Sequence, residues 1–443
     1  MTNRRRGIVF ALVLWILVAA TALALSLALG ARTQRNYAAN VAASTEVSQV
    51  EAAALVYVLR GLSDSSGLLP SDTDLPCNGM QVGNGAFWII RPDDESDTQW
   101  SYGLIDEGGR IDLNTAPVQV LQRLPNMTAD VAAAIVDWRD PDDTVTEAGA
   151  ESDYYLRKSD PYNAKNSPLE SVLELRLVAG VTDEILLGED TNQSGILDPN
   201  EDDGSESQPA DNHDGKLDRG LAGCTTAFLK WPASQSGQQS GQSVNVNSAS
   251  RQEIQQALSR AMTAERATQV VDTIMRSRPW TSIFHLYYAA GLTRSEFEAL
   301  ETSLTFTATQ SFRLNLNTAS LAAIQTLPGL TEGEAQAILQ ARSSATGQSL
   351  AWAIDVLPKE KLMPAFAAGV VGRSYQYSAD IVALAGNGRA FRRCRYVIDV
   401  SGNTPQVIYR QDLSHCGWPL DESIRQRLRS GDALEDVLTD AAK

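Results

Sequence analysis

Histidine is nearly missing from these 443 residues: His213, His285 and His415 are the only three, and none stand in HExxH or HxH spacing. That argues against a zinc hydrolase and against a histidine-based triad. Cysteine is scarce as well. Cys77, Cys224, Cys394 and Cys416 form no CxxC pair, which removes zinc ribbons and thioredoxin-type motifs. Positive charge is in deficit, with 37 Lys+Arg against 54 Asp+Glu and a net charge of -17. This is the wrong sign for a chain whose main partner is the phosphate backbone of a duplex. There is no G-x-S-x-G elbow, no P-loop and no G-x-G-x-x-G, so enzyme activity has no motif to rest on. At 43% hydrophobic and 21% charged the chain builds ordinary packed cores. Its length suits about three domains, or one domain with a large insertion.

Long apolar runs are also absent, with one exception. Arg4, Arg5 and Arg6 precede Gly7, and Ile8 to Ala31 carries no charge. A helix needs about 20 such residues to cross the hydrocarbon core. The arginines place its start on the cytoplasmic side of an inner membrane and send the rest outward into the periplasm. A secretory signal peptide is the plainer reading, but its apolar core spans about 7–15 residues. From Arg32 to Arg60 the chain stays free of Gly and Pro, and Val47, Val50, Ala54 and Val58 recur at helical spacing. The pattern predicts a membrane helix that runs on into an amphipathic stalk.

Beyond the stalk, Gly61 to Asn84 reads as loop. Ala86–Ile90 and Trp100–Ile105 read as strands, as do Tyr375–Leu384, Phe391–Val400 and Pro405–Gln411 near the end. Between these flanks, Asp106 to about Val371 is helical, broken by a polar stretch over Asp190–Leu221 and a Ser/Gln/Gly linker over Ala233–Ser243. The expected class is α+β: a small antiparallel sheet packed on the N-terminal helix, with a large α-helical insertion. The corresponding segments are a leader over 1–7, a transmembrane half-helix over 8–31 and a periplasmic half-helix over 32–60. A sheet domain then takes 61–105 and 372–443, and the insertion takes 106–371.

The insertion repeats itself. Asp112-Leu113-Asn114-Thr115-Ala116 is echoed by Asn245-Val246-Asn247-Ser248-Ala249 and by Asn315-Leu316-Asn317-Thr318-Ala319. Each opens a pair of short helices that look like a helix-hairpin-helix unit. Such units often bind DNA through a Gly-rich turn beside basic residues. Here Thr331, Glu332 and Glu334 follow the one Gly-bearing turn, so packing is the expected role and nucleic acid an unlikely partner.

Asp190 to Glu201 fits the template of a calcium loop. Asp190, Asn192, Ser194 and Asp198 offer oxygen side chains at positions one, three, five and nine, Ile196 a carbonyl at seven and Glu201 a carboxylate at twelve, around Gly195. A second acidic turn holds Asp211, Asp214 and Asp218, and Asp202 and Asp203 lie between the two. The expectation is one or two structural Ca2+ ions over 190–218; the alternative is a solvated acidic loop. Asp137, Asp140, Asp142 and Asp143 are read as helix capping and a turn at Pro141. In an exported region the cysteines read as up to two disulfides. Cys394 with Cys416 and Cys77 with Cys224 is the expected pairing, one of three possible connectivities.

Several motifs together carry a resemblance. They are the leader ending in Gly7, Leu104-Ile105-Asp106-Glu107-Gly108-Gly109-Arg110-Ile111-Asp112-Leu113-Asn114, Asp137-Trp138-Arg139-Asp140, Gly149-Ala150-Glu151 with Tyr154-Tyr155, Pro161-Tyr162, Ser167-Pro168-Leu169 and Glu174-Leu175-Arg176. The series resembles the GspK family of type II secretion minor pseudopilins. The resemblance implies a pilin-like fold with bound calcium, and cleavage by a prepilin peptidase between Gly7 and Ile8. Pilins usually carry Glu at mature position five; Leu12 stands there, and that absence is a trait of this family. Implied partners are minor pseudopilins of the GspI and GspJ type, the major pseudopilin and, at the filament tip, exported proteins. The alternative function is a membrane-anchored nucleic-acid binder of a competence-like uptake system.

Overall fold

The computed structural model describes residues 3–93, 96–206, 208–231, 243–306, 312–343, 347–366 and 369–441. Most of the expected Ser/Gln/Gly linker lies outside them.

One helix, α1 (Asn3–Asp64), runs from the leader through the stalk without a break. Its uninterrupted course follows from Ala-rich composition with neither Pro nor an interior β-turn signal. The residues spaced along one stripe, Val47, Val50, Ala54 and Val58, are buried together with Ala43 and Leu62. They pack on the main sheet, formed by β1 (Met80–Val82), β2 (Gly85–Pro92), β3 (Trp100–Tyr102), β4 (Ile105–Asp106), β5 (Gln376–Leu384), β6 (Phe391–Asp399) and β7 (Gln406–Asp412). The strand order is β1-β2-β5-β6-β7, with β3 paired to β2 and β4 to β5, all antiparallel.

Strand alternation sends successive side chains to opposite faces. Phe87, Ile89, Ile381, Ala383, Cys394 and Tyr396 meet α1, whereas Trp88, Ile90, Val382 and Leu384 face the other way. The far face is covered by α8 (Glu422–Ser430) and α9 (Leu434–Ala441) through Ile424, Leu428 and Val437. The sequence reading leaves these two helices out. Their signals are there: Asp421 caps α8 by accepting from Ser423 N, and Gly431 ends it at φ 104°. The expected strand Trp100–Ile105 is divided in two at Gly103, whose φ of 143° turns the chain from β2 toward β5.

The chain leaves this sheet after β4 and returns at β5. The residues between form a second, helical region with one core of its own, from Ile111 to Val370. Three helix pairs recur inside it: α2 (Val118–Leu121) with α3 (Ala129–Arg139), α4 (Arg251–Leu258) with α5 (Ala264–Arg276), and α6 (Leu321–Gln325) with α7 (Glu332–Arg342). Each is introduced by a two-residue parallel bridge: Ile111-Asp112 to Thr225-Thr226, Val244-Asn245 to Leu304-Thr305, and Leu314-Asn315 to Val370-Val371.

The repeated Asn explains the repeated geometry. Asn114 Nδ2 donates to Leu169 O and Ala227 O at 3.0 and 3.1 Å. Asn247 donates to Trp280 O and Phe306 O at 2.7 and 2.8 Å, and Asn317 to Gln348 O and Gly372 O at 2.8 and 3.0 Å. One side chain thus satisfies backbone carbonyls from two later segments, which a helical region without long sheets must do somehow.

Two residues latch this region to the sheet. Asp106 accepts from Asn315 Nδ2 and Thr318 Oγ1, both at 2.8 Å, and from the Ser374 hydroxyl. Glu107 accepts from Thr226 Oγ1 at 2.5 Å and from the Ser378 hydroxyl. The chain's exit and return points are therefore fixed to each other by buried carboxylates.

Candidate functional site

Two regions carry the candidate residues: the bare end of α1, and the polar stretch over 190–218. Gly7 and Ile8 lie in the first turns of α1, and their side chains are outside the described positions. From Phe10 the apolar side chains point outward, Phe10 at 71% and Trp15 at 75% exposure. Leu12 is exposed among them and places no carboxylate in the apolar segment. Among the described residues, the single helix long and apolar enough to cross a membrane is α1.

The loop over Asp190–Glu201 folds around Gly195, whose φ of 79° only glycine adopts easily. Asp190 Oδ2 accepts from Gly195 N at 3.1 Å, and Asn192 Oδ1 from Ser194 N at 2.6 Å. Ser194 Oγ donates to Ile196 O at 2.9 Å, and Asn192 Nδ2 donates to Asp198 Oδ2 at 2.7 Å. Pro199–Glu201 forms one 3-10 turn in place of an exit helix, with Asp198 N donating to Glu201 Oε2 at 3.0 Å. Two buried carboxylate oxygens, Asp190 Oδ1 and Glu201 Oε1, have no hydrogen-bond partner. Burial, and then the charges of Asp190, Asp198 and Glu189, push the Glu201 carboxyl up to about 8. Burial likewise raises Asp190. Carboxylate, amide, hydroxyl and carbonyl oxygens are the hard donors that an ion such as Ca2+ takes.

The second turn is arranged differently. Ligand-capable atoms of Asp202, Asp211 and His213 lie within 4.8 Å of one another. Asp211 is already occupied by the amides of Asp203, Gly204 and His213, whose hydrogen bonds outweigh burial and hold it below the usual carboxylate range. Asp214 accepts from Lys216 N at 2.9 Å. Asp218 turns away to accept from Asn126 Nδ2 at 2.8 Å and Gly220 N at 2.9 Å. The spacing did not point to Glu189, which is buried and whose Oε2 accepts from Asp218 N at 3.0 Å. Its position directly before Asp190 was the available signal.

The loop is wedged between the helical region and the sheet. Arg393, buried on β6, pairs with Asp380 at 2.8 Å and reaches the carbonyls of Asn192, at 3.3 Å, and Gln193. Arg219 joins Asp97 Oδ1 at 2.8 Å to Gly195 O at 3.1 Å. Burial alone would raise Asp380; Arg393 and Arg395 outweigh it and hold the carboxyl below its usual range.

The expected disulfides do not form. All four cysteines are free. Cys394 belongs to the core under α1, while the charges of its neighbours Arg393 and Arg395, on the opposite face of β6, act on Cys416. Cys77 lies in the core under α1 and Cys224 in the helical core, so that pair is separated as well. Counting residues along the hairpin gave proximity along the strand and ignored the face.

The cap that opens α7 is a reciprocal one. Thr331 Oγ1 accepts from Glu334 N at 3.4 Å and Glu334 Oε2 accepts from Thr331 N at 2.8 Å. Two amides of the first turn are satisfied by side chains, and that turn is acidic.

With this geometry in place, residues 113–187 match the family model described as type II secretion system (T2SS), protein K. A Klebsiella pneumoniae relative, type II secretion system protein K, is 31% identical over 204 residues, covering 41% of this chain and 60% of that protein. The chain therefore spans less than two thirds of that relative's length. A chain in the crystal structure of the GspK-GspI-GspJ complex from enterotoxigenic Escherichia coli covers 86% of this one and 98% of itself, at 14% identity and a TM-score of 0.42.

Proposed function

We propose that this chain is a structural minor pseudopilin of a type II secretion system, non-catalytic, which initiates and caps the periplasmic pseudopilus. The observation that carries the reading is α1 itself. Its first half is bare and apolar and its second half is packed on the sheet, so one rigid element anchors the protein and lets a neighbour's helix pack beside it. The helical region gives the tip reading: so bulky a body on a stalk fits a filament only where no subunit follows above. Leu12 agrees, because a carboxylate there would otherwise need a partner in lipid. The orientation is N-terminus inside, following the three arginines. Cleavage after Gly7 by a prepilin peptidase would leave Ile8 first and the membrane helix attached.

The loop over 190–201 would hold Ca2+ through Asp190, Asn192, Ser194, Asp198, Glu201 and the Ile196 carbonyl, neutralising carboxylates that otherwise repel one another. The three helix pairs, of helix-hairpin-helix type, act as packing modules. Partners would be minor pseudopilins of the GspI and GspJ type, with the major pseudopilin below.

Co-purification of the full chain in detergent with the GspI- and GspJ-type pseudopilins of its own genome tests the proposal. A stable ternary complex is expected; three proteins that elute separately would sink it. Intact mass of the membrane-extracted chain should show loss of the seven leader residues alone.

A further inference from the structure

A second cluster of acids lies away from the 190–218 loops, at the end of α3. Asp137 sits on the last turn of that helix at 0% exposure, and Asp140 terminates it. Glu151, at 2% exposure, precedes the short helix Ser152–Tyr155. Ligand-capable oxygens of the three lie within 4.8 Å of one another.

Asp137 has partners. It accepts from Thr146 N at 3.2 Å, from the Thr146 hydroxyl and from the Ala150 amide. The others do not. Asp140 Oδ1 and both carboxylate oxygens of Glu151 are buried without any hydrogen-bond partner. Asn166, whose amide donates to Asp142 O at 3.0 Å and Asp143 Oδ1 at 2.9 Å, leaves its own Oδ1 buried and unpartnered as well. Capping does not account for this, since the Asp140 backbone amide, not its carboxylate, closes α3 onto Val136 O.

Cations compensate only in part: the charge of Arg139 acts on Asp140, and no cation is among the groups acting on Glu151. Arg139 is turned to the carbonyls of Leu113 and Ala116, and Lys165 binds Glu174 at 2.8 Å. Burial, then Asp137, Asp140, Asp143 and Asp142, push Glu151 up to about 7. Native structures seldom leave buried charge in this condition, because burial of unpaired carboxylates is costly. The backbone also closes tightly on the cluster: a Cβ on Gly149 would run into Asp137 Oδ2.

We propose that Asp137, Asp140 and Glu151 form a second, separate cation site, one that takes a hard divalent ion of the calcium type. Every donor is oxygen and most are carboxylate, with no imidazole or thiolate to attract zinc. The ion ties the end of α3 to the start of the following helix and closes the exposed loop between them. This assignment is independent of the pseudopilus reading and of the 190–201 loop.

Equilibrium dialysis of the full-length chain in detergent micelles against Ca2+ counts the ions bound. Glu151→Gln is expected to bind one ion fewer than the unsubstituted chain. Glu201→Gln reads the other loop separately and leaves the cluster's ion in place. An unchanged count and affinity in Glu151→Gln overturns the proposal. Melting gives a sign test. With chelator, Glu151→Gln melts at or above the parent, having lost an uncompensated charge; with Ca2+ it melts below. A lower melting temperature in both conditions means a packing role and also overturns the proposal. Should Glu151→Gln not fold, the half-buried Asp140→Asn serves: at least tenfold weaker binding at one site is expected, and parental affinity refutes it.

Discussion

The Glu51 carboxylate, on the stalk, lies 3.0 Å from the Arg410 guanidinium on the outermost strand β7. Tyr396 adds a 2.5 Å hydrogen bond to the same oxygen, and Arg392 reaches the other at 3.1 Å. Burial works against this carboxyl, yet those partners hold it below the usual range. Its depressed value contributes stability above the unfolded pKa, lost as pH falls through the folded one. Glu51→Ala should cost about 1–3 kcal/mol, discounted because Arg392 and Arg410 are partly solvated. Thermal melting of the micelle-bound chain measures it, and the deficit should shrink toward acid pH. An equal deficit at every pH would assign the loss to packing.

Arg393 should be far less replaceable. It neutralises buried Asp380 and holds two carbonyls of the 190–201 loop. Arg393→Ala leaves that carboxylate with Arg395 alone; outright loss of a buried partner is worth about 3–5 kcal/mol in comparable settings, and the remaining arginine brings the cost toward the lower end. Calcium affinity of the loop should drop with it. Calorimetric titration that finds parental affinity would disconnect the loop from the sheet.

Glu151 and Glu201 predict an inverted pH dependence for the metal-free chain. Their folded values, about 7 and about 8, lie above an ordinary carboxylate's. Protons are then bound more by the folded state, so stability is full below about pH 4.5 and declines as pH rises through 7 and 8. In chelator the melting temperature should fall from pH 5 to pH 8, and saturating Ca2+ should flatten the curve. A chelated protein that grows more stable over this range would refute the reading.

Thiol counting tests the separation of the cysteines. Alkylation of the denatured, never-reduced chain should modify all four, since each is free and three are buried in the fold. In the native state only Cys416 should react quickly. It alone is not buried, and burial pushes Cys77, Cys224 and Cys394 up to about 12.

Period and punctuation made much of the fold legible. Val47, Val50, Ala54 and Val58 announce the buried stripe because helical spacing maps directly onto one face. The runs around Ile89, Ile381 and Val397 announce strands because they are short apolar stretches bounded by well-marked turns. The echoed Asn114, Asn247 and Asn317 announce three similar units, although not the carbonyls they bind, which come from far along the chain. Illegible features were those decided by three-dimensional facing. Cys394 and Cys416 are close in sequence yet separated by the sheet. Glu151 is distant from Asp137 in sequence and meets it only because the loop through Gly149 folds back. The helix Glu422–Ser430 is charged overall, and its apolar Ile424 and Leu428 make sense only once a sheet face needs covering.

The latch at Asp106 also bears on the order of folding. Ile89 and Ile381 are partners in adjacent strands, with the whole helical region between them in sequence. Pairings so distant are slow to form, because the chain must close a long loop before any contact rewards it. A helical region that folds first from its own nearer contacts removes that burden, since its Asn315 and Thr318 then hold Asp106 beside Ser374 and set the two strands at hydrogen-bonding distance. Pulsed hydrogen exchange would see amides of the helical region protected before those of β5. The bulky body on the stalk then acts as a folding jig: it shortens, from hundreds of residues to a single hydrogen-bonded step, the search that brings the sheet together against the stalk.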